Sequence, residues 1–314
     1  MFVFLPLDYY NHPLQNFERT EFPGIDLMAK PFSPTVRWLG VALAVAGVLA
    51  LVILTPGGLL RKLDYVGAAV CHRRPSHSFE IAHHQTPLCQ RCTGTFPGAL
   101  TGVLVHWILW RRRRSVRFPR WTVFVPLCLF AAFWALDGIN STTSDDQFNA
   151  IMAQFVAREP GIGILGYAPH PWLRLLSGTL MGMSMSVVLI PAFNQSLWSD
   201  GEDTATLRSG HELGQLIAIE LGMAAIILLL KTTQSIVALY IVSIFSALGT
   251  LTMFTLLGTM MFVLILRRDA TVSDWHEAWV PIVWGFVFAL AIVAVMDTAR
   301  LWFTGTIDGV PGLE

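Results

Sequence analysis

The run "VRWLGVALAVAGVLALVILTPGGLL", Val36 to Leu60, carries no charge after Arg37. A helix needs roughly 20 apolar residues to cross a hydrocarbon core about 30 Å thick. This stretch meets that length and reads as a membrane span. Working outward, six more runs of the same kind stand between charged or Pro/Gly-rich punctuation: Thr93 to Trp110, Trp121 to Ile139, Leu173 to Phe193, Leu213 to Leu230, Ile236 to Leu266 and Trp279 to Phe303. The expected fold class is therefore all-α: a polytopic transmembrane helix bundle of about seven spans, with a Cys/His-containing loop at one membrane face. Tryptophans near the span ends (Trp38, Trp110, Trp121, Trp172, Trp279, Trp302) fit an interfacial aromatic belt. The sixth run is long and carries Gly249 near its middle, so it is expected to tilt, kink or project beyond the lipid. Asp297 and Arg300 near the exit of the seventh are placed to pair or to snorkel.

Composition supports the bilayer. Hydrophobic residues make up 54% and charged residues 13%, with a mean hydropathy of +0.57, against roughly a quarter charged in soluble domains. Lys plus Arg and Asp plus Glu both number 21, for zero net charge, so there is no global basic field to draw the chain onto nucleic acid. The chain divides into an N-terminal interfacial segment 1–35, a four-span region 36–195 and a three-span region 196–314. The opening "MFVFLPLDYYNHPLQ" lacks a positively charged n-region and reaches Asp8 early, unlike a cleaved signal peptide.

Lys and Arg set the expected orientation. The densest basic run, "RRRRSVRFPR" from Arg111 to Arg120, and the pair Arg267 and Arg268 fall on one side of a seven-span chain, which places that side and the N-terminus in the cytoplasm. The run itself reads as a stop-transfer and orientation signal. The Cys/His connection then lies on the outer face, with Arg61, Lys62, Arg73, Arg74 and Arg91 against the rule's preference. That tension calls for a ligand or acidic partners to neutralise those charges, or for the inverted topology.

The segment "CHRRPSHSFEIAHHQTPLCQRCTGTFPGAL", Cys71 to Leu100, gathers three of the four cysteines and four of the nine histidines. Cys89 and Cys92 have the C-x-x-C spacing that lets two thiolates reach one tetrahedral ion. The candidate metal ligands are Cys71, His72, Cys89 and Cys92, with His77, His83 and His84 as alternative imidazoles because His72 directly adjoins Cys71. Zinc suits such a nitrogen and sulfur set. Two other readings stay open: thiols that cycle between dithiol and disulfide opposite a quinone, and unliganded thiols in a packed loop.

Gly94, Gly98 and Gly102 repeat at four-residue spacing, as do Gly178 and Gly182, which suggests close contact between the second and fourth spans. Asp137, in "FWALDGIN" at the end of the third span, needs a partner in or near lipid. Arg91, Arg174 or a metal-bound group could supply one, while a turn at the helix end is an equally good reading of "DGIN". His106 and Cys128 read as packed core residues, and Asp145, Asp146, Arg158 and Glu159 as loop charge.

The motifs "CHRRPSHSF", "PLCQRCTG", "LDGIN" and "RLLSGTLMG" together resemble the prokaryotic membrane family known as domain-of-unknown-function family 2085, over about residues 68–190. The resemblance falls on Cys71, His72, Ser78, Phe79, Pro87, Cys89, Arg91, Cys92, Gly94, Asp137, Gly138, Arg174 and Gly178. His77 departs from the arginine usual before Ser-Phe, and the Asn140 to Pro171 loop is long. An Asp in place of the second cysteine of the pair, as the family allows, suits a metal ligand and not a disulfide. The remaining chain shows no nucleotide loop, Ser nucleophile elbow or HExxH element.

The expected function is thus an integral membrane protein with a structural Cys/His zinc site, acting as a platform in a membrane complex with other membrane subunits. The alternatives are a metal-dependent enzyme acting on a lipid or polyprenyl phosphate, with Asp137, Arg91 and Arg174 as candidate catalytic residues, and a quinone-linked thiol oxidoreductase using Cys89 and Cys92. Four protein ligands favour structure, and three plus solvent favour chemistry.

Overall fold

A computed structural model describes residues 31–144 and 161–309. The N-terminal segment 1–30 and the loop charges Asp145, Asp146, Arg158 and Glu159 lie outside the described residues. Helix α1, Pro34–Leu54, begins on Ser33, whose hydroxyl accepts from the Val36 amide at 3.4 Å, and on Pro34, whose fixed φ suits a first turn. It stops at Leu54, short of the expected Leu60. Pro56 and Gly57, the latter at φ +85°, break the run, and α2, Leu59–Ala68, forms a separate short helix that buries Asp64. The later helices are α3, Gln90–Leu104, continued by a π-helical turn Val105–Leu109; α4, Trp121–Thr143; α5, Pro171–Leu197; α6, Gly210–Thr233; α7, Ile236–Ile265; and α8, Trp275–Thr304. Apart from α2, all seven, counting α3 with its π turn, are long and apolar enough to cross a membrane.

α3 and α5 form the centre, and glycines bring their backbones together. A Cβ on Gly178 would lie 2.9 Å from the Arg91 carbonyl carbon, one on Gly182 2.7 Å from the Ala99 nitrogen, and one on Gly94 2.6 Å from the Thr179 nitrogen. No side chain fits there. α7 crosses the same pair without a break, and Gly249, expected to permit a bend, instead lets the Phe96–Pro97 backbone approach. Around this centre α1 and the outward faces of α4, α6 and α8 expose Trp38, Ile53, Leu129, Leu229, Trp302 and Phe303, a surface suited to lipid. Cys128, expected in the core, is exposed on the outward face of α4. His106 is fully buried as expected.

Two short strand pairs that apolar patterning did not reveal close the ends. Strands β1, Ser78–Ile81, and β2, His84–Cys89, pair antiparallel, with Ile81 opposite His84. Their two-residue turn, Ala82-His83, holds φ of +50° and +59° without a glycine, a conformation that costs non-glycine residues free energy. Gln234, between α6 and α7, accepts the Ala82 amide at 2.9 Å and helps hold it. At the other end β3, Ser115–Arg117, pairs in parallel with β4, Glu202–Ala205. The arginine run is tied down there: Arg112 and Arg114 pair with Glu212 and Asp200.

Candidate metal centre

The site lies at the end of the bundle where α2 leads into the β1–β2 hairpin and on to α3. Cys71 follows α2, Cys89 is the capping residue of α3, and Cys92 sits in the first turn of α3. The C-x-x-C element therefore straddles a strand end and a helix start, a position where the helix dipole favours thiolate. The three sulfurs lie within 4.8 Å of one another and could hold a metal ion. Zinc–sulfur bonds of about 2.3 Å put tetrahedral thiolates about 3.8 Å apart, a separation inside that limit.

Donors converge on the sulfurs, and the negative charge they favour settles on Cys89. Cys71 Sγ accepts the amides of Cys89 at 3.2 Å and Arg73 at 3.5 Å; Arg73 reaches it because its backbone is left-handed, at φ +51°. Hydrogen bonds from Cys71 and Cys92, joined by His72, hold the Cys89 thiol well below its usual range. In return the bond to Cys89 pushes Cys71 up to about 12. An ion that replaces the thiol protons would complete the set.

The imidazoles divide. His72 stands beside Cys89, but its Nδ1 accepts the Arg74 amide at 3.0 Å, so the other nitrogen carries the proton toward sulfur. His77 is buried and packs edge-on against His72, with ring centroids 5.5 Å apart. His83 points outward beside Glu80, and His84 faces Asp64 at 3.3 Å.

Two ionic frames that the sequence reading missed brace this connection. In the first, Arg73, 1% exposed, pairs with the fully buried Asp64 at 2.9 Å and reaches Asp308 at 3.1 Å, while Arg61 binds Asp308 at 2.7 Å. Burial pushes the Asp64 carboxyl up against the pull of Arg73, and Arg61 holds Asp308 down. In the second, Arg300 of α8 donates to the carbonyls of Ala68, Cys71, His72 and Gly309 at 2.5 to 3.0 Å. It does this in place of the pairing with Asp297 that the sequence suggested.

Asp137 finds the first of its expected partners. Arg91 Nη2 donates to Asp137 Oδ2 at 2.7 Å and Nε at 3.2 Å, with Ser177 and Tyr167 donating at 3.0 and 3.2 Å. The "DGIN" segment stays helical through Thr143, so the turn reading fails. Arg174 turns instead to Gln90 and Ser76, at 3.3 and 3.4 Å. A cavity of about 770 Å³ opens beside Cys71 and His72, walled by Phe96, Phe254, Ile292 and Phe303.

These features define a polytopic helical membrane protein with a three-cysteine cluster at one end of the bundle. Residues 71–188 match the model of the family described as "Predicted membrane protein (DUF2085)", the segment on which the sequence motifs fall. An uncharacterized protein of Methanothermobacter thermautotrophicus is 28% identical over 95 residues, covering 30% of this chain and 80% of that protein. No solved structure matches.

Proposed function

We propose that Cys71, Cys89 and Cys92 hold a zinc ion as a structural centre, and that the protein serves as a platform in a membrane complex. The single observation that carries this is the convergence of three buried or half-buried thiols from two elements, within 4.8 Å, with backbone amides already aimed at Cys71 sulfur. His72 is the nearest candidate for the fourth position and would need to release the Arg74 amide to take it. A zinc there would join the end of α2 to the start of α3 and so fix the Cys/His connection on the bundle. Metal analysis of the purified protein, with a Cys89→Ser, Cys92→Ser double variant, tests this: near-stoichiometric zinc lost in the variant supports it, and absence of metal with a reversible Cys89–Cys92 disulfide favours thiol exchange.

The cavity beside Cys71 supports a second reading, in which the fourth position is open and the ion acts on a lipid-borne anionic group. X-ray absorption separates the two, since a fourth sulfur or nitrogen from protein means closure and a solvent oxygen means an open site. For orientation we place the arginine-rich end, and with it the N-terminus, in the cytoplasm of a prokaryotic cell. Asp308, Asp64 and Asp137 pair with Arg61, Arg73 and Arg91 at the cysteine end, which supports an outer location by offsetting three of its five basic residues. Reporter fusions following α3 and α8 test it: a cytoplasmic signal from the first and an external one from the second support this orientation, and the reverse overturns it.

A further inference from the structure

Glu220 is the sole charged residue between Glu212 and Lys231 in α6, "GHELGQLIAIELGMAAIILLLKTT". At helical rise it stands about 12 Å from Glu212 and about 16 Å from Lys231 along the axis, near mid-membrane. It is fully buried, and neither carboxyl oxygen has a hydrogen-bond partner. The glycine seam of α3 makes its space: a Cβ on Gly98 would lie 3.3 Å from Oε2 and one on Gly102 3.6 Å from Oε1. A carboxylate left alone in such a place is costly, and membrane proteins retain one where it works.

One turn from Gly102, on the same α3 face, stands His106, also fully buried. Its ring nitrogen Nδ1 lies 2.7 Å from the Gly102 carbonyl and so carries the proton. Nε2 is then an open base with no partner. Beyond it, the Arg112 amide donates to the His106 carbonyl at 2.7 Å, and the Arg112 guanidinium binds Glu212, 19% exposed at the arginine-rich end. The other charged groups on helices packed against α6 are engaged elsewhere: Arg91 with Asp137, Arg174 with Gln90. On α7 the one titratable side chain is Tyr240.

We propose that Glu220 is a membrane-embedded proton-binding site, with His106, one turn along the same glycine seam, as the base through which protons reach it from the arginine-rich end. On loading, a hydronium ion gives up one O–H bond as a new one forms at a Glu220 carboxylate oxygen; release reverses the exchange. The inference is independent of the cysteine centre, so failure of either leaves the other standing.

Infrared difference spectroscopy of the purified protein in lipid vesicles, against Glu220→Gln, tests it. The expected result is a protonated-carboxyl band at neutral pH that is lost in Glu220→Gln, shifted in frequency in Glu220→Asp, exchangeable with deuterium and reversibly removed at alkaline pH. Its exchange should slow in His106→Gln. Absence of the band would mean an ionised structural carboxylate, and a band that neither exchanges nor titrates in the folded protein would mean a fixed neutral one; either overturns the proposal. Should Glu220→Gln fail to fold, the frequency shift in Glu220→Asp carries the assignment.

Discussion

Gly178→Ala probes the contact on which the architecture turns. The new methyl would stand 2.9 Å from the Arg91 carbonyl carbon, 3.1 Å from the Thr95 nitrogen and closer still to the Arg91 oxygen. Non-bonded carbon contacts settle at about 3.5 to 4.0 Å, so α3 and α5 must part by on the order of 1 Å. Neither side of the clash is a flexible side-chain end, and the cost falls near the upper end for overpacking, about 3 kcal/mol. For a chain of 314 residues that lowers the melting temperature by roughly 5 °C. Arg91 also holds Asp137, and Cys92 lies one residue further along the same helical turn. Parting the helices should therefore lower metal retention as well. The control is Gly222→Ala on α6, where a Cβ meets nothing within 4 Å; it should be neutral or stabilise by up to about 1 kcal/mol through helix propensity. Both variants are measured by thermal unfolding in one detergent, with metal content determined before and after heating. Equal melting temperatures for the two would refute the close approach of α3 and α5.

Asp137→Ala leaves Arg91 facing Ser177 and Tyr167 without its anion and should cost about 3–5 kcal/mol, read as a lower denaturation midpoint, while an Arg91→Met, Asp137→Leu double variant should recover much of that. Arg300→Lys, which cannot span four carbonyls with one fork of donors, should speed metal loss to a chelator while leaving the helical circular dichroism signal intact. The Asp308 carboxyl lies below its ordinary value because of Arg61. Its contribution is therefore fully present above the unfolded value of about 4 and is lost as pH falls through the lower folded value. Asp308→Asn should remove that acid-side step from a stability–pH curve and leave the neutral range little changed. An unaltered curve would show that Asp308 contributes nothing.

Local sequence was enough for the spans, because a helix in lipid satisfies its own backbone and only needs an apolar window of sufficient length. It was enough for the α3–α5 contact too, since glycines at four-residue spacing mark one helix face before any partner is known. The cysteine cluster was legible as a cluster. Which imidazole stood nearest was not, because that depended on Arg73 turning left-handed and sending the Arg74 amide onto His72 Nδ1. Glu220 stood in plain sight as a lone acid in an apolar run, yet its meaning depended on two glycines and a histidine on another helix.

By itself, then, the sequence determined the bundle, its spans and the place where soft ligands gather, since each follows from residue types within one window. The tertiary structure alone decided how the basic connection is neutralised. Arg61 and Arg73 meet Asp308 from the far end of the chain, and Arg300 meets carbonyls more than 200 residues away. A carbonyl has no residue code, and a partner so remote in sequence is chosen by where the folded helices place it.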